Sequence, residues 1–220
     1  KMGDGATPSS AYDANGNITQ RRLRDGQLII STFDALNRAS LKDLPSPETD
    51  VSYTYDLQNR LLTATQGAAA VTQAYDGLGR LASETTPQGA MSYQYDAAGR
   101  RTRTTWPDSF YVTQDFLVTG EVQYIRESGA GSGIGVLATY GFDNLGRRTS
   151  ITRGNGTVTN IGYDAISRLA SLAQDVAGTS SDVSVTLTYN PASQISVYSR
   201  NNDSFAWGGH YNVNRNYGVN

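Results

Sequence analysis

Short stretches of alternating polarity recur along the chain, each ending at an aromatic residue. Val51-Ser52-Tyr53-Thr54-Tyr55 and Met91-Ser92-Tyr93-Gln94-Tyr95 place apolar or aromatic side chains at every second position. A period of two predicts a β-strand that packs one of its two faces. No stretch has a convincing helical pattern. The hydrophobic pattern therefore predicts an all-β chain.

A seven-residue motif begins at the last aromatic residue of these strands. It reads YDLQNRL from Tyr55, YDGLGRL from Tyr75, YDAAGRR from Tyr95 and FDNLGRR from Phe142. Further copies begin at Tyr12, Phe33 and Tyr163, and weaker ones at Phe116, Tyr189 and Tyr211. Successive copies start about 20 to 22 residues apart, with two longer steps of 26. Such fixed-period self-similarity indicates a tandem repeat protein of about ten units.

Each motif position has a structural interpretation. The aromatic residue ends one strand, and the Asp opens a turn because its carboxylate can accept main-chain N–H bonds. Gly or Asn at the fifth position suits a left-handed backbone, and the Arg at the sixth position begins the return strand. We expect this Arg to pair with carboxylates of adjacent repeats or to lie over tyrosines. The residues assigned to this structural motif are Tyr12, Asp13, Phe33, Asp34, Arg38, Tyr55, Asp56, Arg60, Tyr75, Asp76, Gly79, Arg80, Tyr95, Asp96, Gly99, Arg100, Phe142, Asp143, Gly146, Arg147, Tyr163, Asp164 and Arg168.

One repeat is thus a β-hairpin, and an isolated hairpin is only marginally stable in water. We therefore predict that residues 1–220 form a single array whose hairpins pair into a continuous curved or spiralling antiparallel sheet. A five-bladed propeller would instead need a period of about 40 residues, with alternate copies alike. Tyr55, Tyr75 and Tyr95 open three near-equal successive copies, which favours the open or spiral sheet.

The composition narrows the function. Lys and Arg number 18 and Asp and Glu 20, so the chain lacks the positive charge of a nucleic-acid binder. It has no cysteine, hence no disulfide and no thiolate metal site. No apolar window is long enough to span a membrane, and the first residues do not resemble a signal peptide.

Candidate chemistry is sparse. His210 is the only histidine, so a Ser-His-Asp arrangement would depend on it alone; we interpret it as a polar strand or turn residue. The motif aspartates lie at turns where they have a structural role, and we expect no bound metal and no cofactor. The Gly-rich segment 129–135 is interpreted as a loop, because its spacing differs from the dinucleotide-binding motif.

Two further residue types could bind sugars or carry them. Trp106 and Trp207 lie near turns, where they would fill gaps between hairpins or, alternatively, stack on sugar rings. Asn17, Asn155 and Asn202 open N-x-[ST] sequences, which matter only in a eukaryotic secretory pathway.

The Y-D-x-x-G-R-L unit, repeated at about 20 residues over nearly the whole chain, resembles the YD repeats of RHS (rearrangement hot spot) proteins. That family includes bacterial RHS toxins, the C component of insecticidal toxin complexes, wall-associated contact-inhibition proteins and teneurins. The resemblance implies a strand-rich sheet that spirals into a hollow shell around a cytotoxic domain. The family's self-cleaving aspartic protease lies in a D-P-x-G-rich region after the repeats, and this sequence contains no such element. The resemblance therefore carries no catalytic residue over to this chain.

From this resemblance we expect a non-enzymatic segment of an encapsulating β-shell, belonging to a larger secreted or cell-surface bacterial protein. Its expected partners are adjacent repeats of the parent polypeptide or a toxin cargo, together with self-association through open sheet edges. The alternative is a module whose surface binds carbohydrate or a partner protein.

Overall fold

The structure is a computed structural model that describes residues 7–201 and the backbone of residues 215–216. Its strands are β1 (Ser9–Tyr12), β2 (Ile18–Arg22), β3 (Leu28–Phe33), β4 (Ala39–Asp43), β5 (Val51–Tyr55), β6 (Leu61–Gln66), β7 (Ala69–Tyr75), β8 (Leu81–Thr86), β9 (Gly89–Tyr95), β10 (Arg101–Thr105), β11 (Tyr111–Phe116), β12 (Val122–Glu127), β13 (Val136–Phe142), β14 (Arg148–Arg153), β15 (Val158–Tyr163), β16 (Leu169–Asp175), β17 (Val183–Tyr189), β18 (Ile195–Asn201) and β19 (Arg215–Asn216). The described residues contain one 3₁₀ turn, Gly133–Gly135, and no α-helix. The predicted all-β fold is therefore confirmed.

The strands form two compact units. Within the described residues, the first unit comprises the chain up to Gln94 together with Thr105–Ser109, and the second comprises Tyr95–Thr104 and the chain from Phe110 onward. In the first unit, each strand from β1 to β9 pairs antiparallel with the next one along the chain. In the second unit, the strands from β11 to β19 pair in the same sequential way. The predicted tandem hairpins are confirmed.

A β-bulge accompanies the motif turns. In the hairpin of β5 and β6, Thr54 lies opposite Thr63, whereas Tyr55 lies opposite Leu61, so Leu62 is an extra residue in the return strand. Such a shift is expected where a type I turn ends in a left-handed residue, because that turn places one more residue on the return side. Equivalent register shifts occur in the hairpins whose first strand ends at Tyr12, Phe33, Tyr75, Phe116, Phe142, Tyr163 or Tyr189.

The two faces of the sheet differ in residue type. In β5, Val51, Tyr53 and Tyr55 are half-buried, whereas Ser52 and Thr54 between them are exposed. The same alternation holds for β7 and β9. Among the described residues only Ala138 and Thr157 are buried, and no side chain is fully buried. In these three strands burial therefore follows the aromatic face, whereas β4 and β12 are half-buried at every position. Burial is spread along the strands and is not concentrated in a central core.

Within each unit, consecutive hairpins place their turns at alternate edges of the sheet. The motif turns all follow odd-numbered strands and share one edge, which we call the YD edge. The turns that follow even-numbered strands share the other edge, which we call the opposite edge. The Gly-rich segment lies at the opposite edge between β12 and β13, and it is a loop that contains the 3₁₀ turn.

Candidate functional site: a ladder of side chains along the YD edge

The motif turn is held by its Asp. In the turn after β5, the Asp56 N–H donates to Arg60 O at 3.0 Å, and the Asn59 N–H donates to Asp56 O at 3.2 Å. The Asp56 carboxylate accepts the main-chain N–H of Gln58 at 2.8 Å and of Arg60 at 2.9 Å. Asn59 has φ +64°, in the left-handed region that Asn and Gly tolerate best. The Asp at position two and the left-handed residue at position five thus both stabilise this turn.

The Arg of the motif closes the same turn with its side chain. Arg60 Nε donates to Asp56 Oδ2 at 2.6 Å. The pairing with adjacent repeats that we expected from the sequence is therefore wrong for the carboxylate, because the turn brings positions two and six of one motif together. The same intra-turn ion pair joins Asp34 to Arg38, Asp76 to Arg80, Asp96 to Arg100, Asp143 to Arg147 and Asp164 to Arg168.

The guanidinium then extends over the aromatic ring of the next repeat. The Arg60 guanidinium carbon lies 4.3 Å from the centroid of the Tyr75 ring, which is the geometry of a cation–π contact. Equivalent contacts of 4.2 to 4.7 Å join Arg38 to Tyr55, Arg100 to Phe116, Arg147 to Tyr163 and Arg168 to Tyr189. One side chain therefore links two successive repeats.

The tyrosine hydroxyl makes the return contact. Tyr75 Oη donates to the main-chain O of Leu61, the residue after the Arg of the preceding motif, at 3.0 Å. The hydroxyls of Tyr55, Tyr163 and Tyr189 donate in the same way to Ala39, Arg148 and Leu169. These bonds satisfy a polar group on an otherwise aromatic surface. Nothing in the residue pattern indicates them, since the acceptor is a main-chain atom 14 to 20 residues earlier.

A third contact depends on the residue at position five of the next motif. Arg38 Nη1 donates to Asn59 Oδ1 at 2.8 Å and to the main-chain O of Asp56 at 3.1 Å. Arg147 and Arg168 donate in the same way to the hydroxyls of Ser167 and Ser193. Arg60 differs: the next motif has Gly79 at this position, and Arg60 Nη1 is buried and has no hydrogen-bond partner. Arg100 also precedes a glycine, Gly120, but donates to the main-chain O of Leu117 at 3.2 Å.

These hydrogen bonds hold the aspartates in the charged form. The hydrogen bond from the Arg60 main-chain N–H is the largest cause that lowers the pKa of Asp56; the Arg60 side chain lowers it further, and partial desolvation opposes both. The pKa values of Asp34, Asp76, Asp96, Asp143 and Asp164 are also below the ordinary value. A carboxylate whose oxygens accept these bonds is a structural anion and is poorly suited to act as a general base at neutral pH.

Three described turns depart from the motif. Asn17 replaces the Arg in the first turn, where its amide donates to Asp13 at 2.8 Å and contacts Asn37 of the next turn. Leu117 and Glu121 replace the Asp and the Arg after β11, and Asn190 and Gln194 replace them after β17. The backbone hydrogen bonds of the turn persist at both sites. The ladder therefore tolerates loss of the ion pair without loss of the turn.

The remaining candidate residues occupy ordinary positions. Trp106 is half-buried at the opposite edge, where its carbonyl accepts the Ser109 N–H, and Asn155 lies in the turn before β15. Trp207, His210, Tyr211 and Asn202 lie outside the described residues. In the part of the chain that the structure describes, no group of three or more acidic or histidine side chains could hold a metal ion. In the same part, no helix is long and apolar enough to cross a bilayer.

Comparison with known proteins agrees with this geometry. The RHS Repeat family model matches residues 75–109. No curated protein matches the sequence. Among solved structures, the crystal structures of TcdB2-TccC3-TEV and TcdB2-TccC3-Cdc42 superpose on 89% of the chain with a TM-score of 0.51 and 12% sequence identity. The chain spans only 12% of each of those two proteins. The expected resemblance is thereby confirmed: residues 75–109 match the RHS Repeat model, and the Asp–Arg ion pair and the Arg–aromatic stack recur in motif turns on both sides of them.

Proposed function

We propose that this chain is a non-catalytic wall segment of an RHS-type β-shell that encloses a toxin or other cargo. The observation that carries the proposal is the ladder along the YD edge. Its Asp, Arg and Tyr groups are engaged with one another, as in the Asp56–Arg60 ion pair and the Arg60–Tyr75 stack. These are the most chemically capable side chains of the repeat, and their geometry serves to fix each hairpin to the next.

The wall role also accounts for the distribution of burial. The tyrosine face of the strands is only half-buried, although it is rich in aromatic residues. A sheet with one aromatic face gains stability when another layer lies against that face, because the apolar area is then removed from water. A cargo that covers the aromatic face, with solvent on the other face, would provide such a layer.

The proposal includes the place of the chain in a larger protein. We infer that residues 1–220 act as one array of about ten repeats within a longer secreted or cell-surface bacterial polypeptide. Its partners would be adjacent repeats and the enclosed cargo. The resemblance of the motif to RHS proteins supports this, as does the fold shared with chains about seven times as long.

The experiment is size-exclusion chromatography with light scattering over a range of concentrations, combined with a glycan array. A wall segment associates as its concentration rises and binds no glycan specifically. A monomer at all concentrations that binds one glycan saturably would overturn the proposal in favour of the carbohydrate-binding alternative.

A further inference from the structure

In the second unit, most steps from one motif turn to the next are joined by an Arg that stacks on the next aromatic ring and donates a hydrogen bond to the next turn. Arg168 stacks on Tyr189 at 4.2 Å and donates to the Ser193 hydroxyl at 3.1 Å. The Tyr189 hydroxyl donates back to the main-chain O of Leu169 at 2.8 Å. Two further steps are joined by such an Arg, from Arg100 to Phe116 and from Arg147 to Tyr163. These three steps therefore have side-chain contacts in addition to the pairing of their strands.

The step from the motif turn of Phe116 to that of Phe142 lacks these contacts. Glu121 stands where the three joined steps have Arg, so no guanidinium reaches Phe142 from the preceding turn, and Phe142 has no hydroxyl to donate back. The Glu121 carboxylate extends toward the next turn, since a Cβ added to Gly146 would lie 3.2 Å from Glu121 Oε1. Its Oε2 is buried and has no hydrogen-bond partner among the described residues. A buried carboxylate oxygen without a donor weakens the contact between the two turns.

The strands that pair at this step are also less regular than those of a comparable step. β12 and β13 share three register pairs, and the register shifts between Ile125 and Arg126. β16 and β17 share four register pairs without a shift. Both steps carry an inserted loop at the opposite edge, so the loop alone does not distinguish them. The ladder and the strand pairing do distinguish them, and both are weaker between β12 and β13.

The inserted loop between β12 and β13 is anchored on both sides of this step. On the side of β12, Arg126 Nη1 donates to Ala130 O at 2.9 Å. On the side of β13, the Gly154 N–H donates to Leu137 O at 3.4 Å. Residues 131–134 between these anchors are exposed. The segment 128–135 joins the two strands and can span about 27 Å when it is extended, so it would keep them linked if they separated.

We propose that the step between β12 and β13 is a seam, at which the sheet of the second unit separates first while the loop tethers the two parts. Local opening begins where the stabilising contacts are fewest, and within the described part of the second unit this step has the fewest contacts between motif turns. A seam in a wall would give an enclosed cargo a way out. That use of the seam rests on the proposed function, whereas the separation depends only on the contacts of this chain.

Hydrogen exchange measured by mass spectrometry tests the seam, with the step between β16 and β17 as the matched control. Peptides that cover β12 and β13 should exchange about tenfold faster than peptides that cover β16 and β17, because the amides that bridge the seam are exposed whenever it separates. The full chain is used without cargo and at one low protein concentration, so that both steps are compared in the same molecules.

Two variants exchange the motif residues of the two steps. Leu117→Asp with Glu121→Arg gives the seam the ion pair and the guanidinium of the control step, and should slow exchange in β12 and β13 about tenfold. Asp164→Leu with Arg168→Glu gives the control step the residues of the seam, and should accelerate exchange in β16 and β17 by a similar factor. The backbone hydrogen bonds of the turn are present with either residue pair, and circular dichroism checks that both variants keep their strands.

Equal exchange at the two steps of the wild-type chain would overturn the seam, as would variants that leave exchange at their own step unchanged. Failure of the seam is distinguishable from failure of the wall, because the exchange is measured without cargo. Equal exchange in a chain that associates with rising concentration removes the seam and leaves the wall. Faster exchange at β12 and β13 in a monomer that binds one glycan removes the wall and leaves the seam.

Discussion

The unpaired nitrogen of Arg60 offers a direct test of the ladder. In the preceding repeat, Arg38 Nη1 donates to Asn59, which sits at position five with φ +64°. Gly79 occupies the same position one repeat later with φ +84° and supplies no side-chain acceptor, and Arg60 Nη1 is buried without a partner. Gly79→Asn should restore the missing bond. A Cβ at this glycine would lie 2.9 Å from Arg60 Nη1, so the flexible guanidinium must move by a few tenths of an ångström.

The expected magnitude follows from three contributions. A hydrogen bond to a charged donor adds about 1.5 to 3 kcal/mol, and we use the lower value because about a quarter of the Arg60 side chain is exposed. A side chain in the left-handed region costs about 1 to 2 kcal/mol. Replacing glycine restricts the conformations of the unfolded chain and thereby stabilises the folded protein by about 0.4 to 1 kcal/mol. Gly79→Asn should therefore stabilise the protein by about 0.5 kcal/mol, and Gly79→Ala should destabilise it by about 1 kcal/mol.

The assay is equilibrium urea denaturation followed by circular dichroism. Asn is intrinsically better than Ala in a left-handed conformation, so the same two substitutions at Gly16 serve as the control. Gly16 has φ +87°, and a Cβ added there would have no atom within 4 Å, hence no guanidinium to bond. The Asn–Ala difference should be about 1.5 kcal/mol larger at Gly79 than at Gly16, the value used for the hydrogen bond. Equal differences at the two sites would refute the role assigned to position five.

Three further outcomes follow from the same contacts. Tyr75→Phe should destabilise the protein by about 1 kcal/mol, because it removes the hydrogen bond from the hydroxyl to the preceding repeat. Tyr75→Ala also removes the ring and should destabilise the protein by about 2 to 4 kcal/mol. Equal denaturation midpoints of the two variants would contradict this. The motif aspartates have a lower pKa in the folded than in the unfolded chain, so the stability they contribute is complete above the ordinary value of 3.8 and is lost as the pH falls below it. Asp76→Asn should therefore reduce the loss of unfolding free energy at acid pH, measured by urea denaturation over a pH series. The same acid loss in the variant and the wild type would contradict this role of Asp76. Gly89→Ala should destabilise the protein by more than about 2 kcal/mol, because the new Cβ would lie 2.4 Å from Pro107 and the backbone has φ +125°. Gly77→Ala has open space around its Cβ and should be neutral or stabilise the protein by up to about 1 kcal/mol in thermal melts. Equal stability of the two variants would show that Gly89 and Pro107 can move apart without loss.

The sequence was sufficient for the local structure and for the stacking of the motif Arg on tyrosines, and insufficient for the other contacts between repeats. Period-two alternation and the Y-D-x-x-G-R-L unit predicted the hairpins and the left-handed fifth residue, since both depend on neighbours in the chain. The hydroxyl bond of Tyr75 and the reach of Arg38 to Asn59 join residues 14 to 21 positions apart. They depend on the spacing of strands in the sheet, which the pattern of one repeat does not contain.

The partner of the motif Arg shows the same limit. The sequence suggested that the Arg pairs with a carboxylate of an adjacent repeat or lies over a tyrosine. The Arg does lie over the aromatic ring of the next repeat, as Arg60 does over Tyr75, but its carboxylate partner is position two of its own motif, because the turn folds position six back onto it. The variation at position five was a usable signal, because Asn59, Ser167 and Ser193 replace Gly where the preceding Arg donates to them. That signal has a meaning only once the side chain of the Arg is known to cross to the next turn.

The loop insertions of the chain are confined to one edge of the sheet. Both 26-residue steps contain an inserted loop, between β12 and β13 and between β16 and β17, and both loops lie at the opposite edge. Across the second insertion, Arg168 still stacks on Tyr189 at 4.2 Å and donates to Ser193 at 3.1 Å. The ladder at the YD edge therefore keeps its spacing while the opposite edge varies. An edge with constant spacing is the one that can meet another periodic surface, because a match at one turn then implies a match at the next. The motif turns with their ion pairs lie on that edge, and both inserted loops lie on the other.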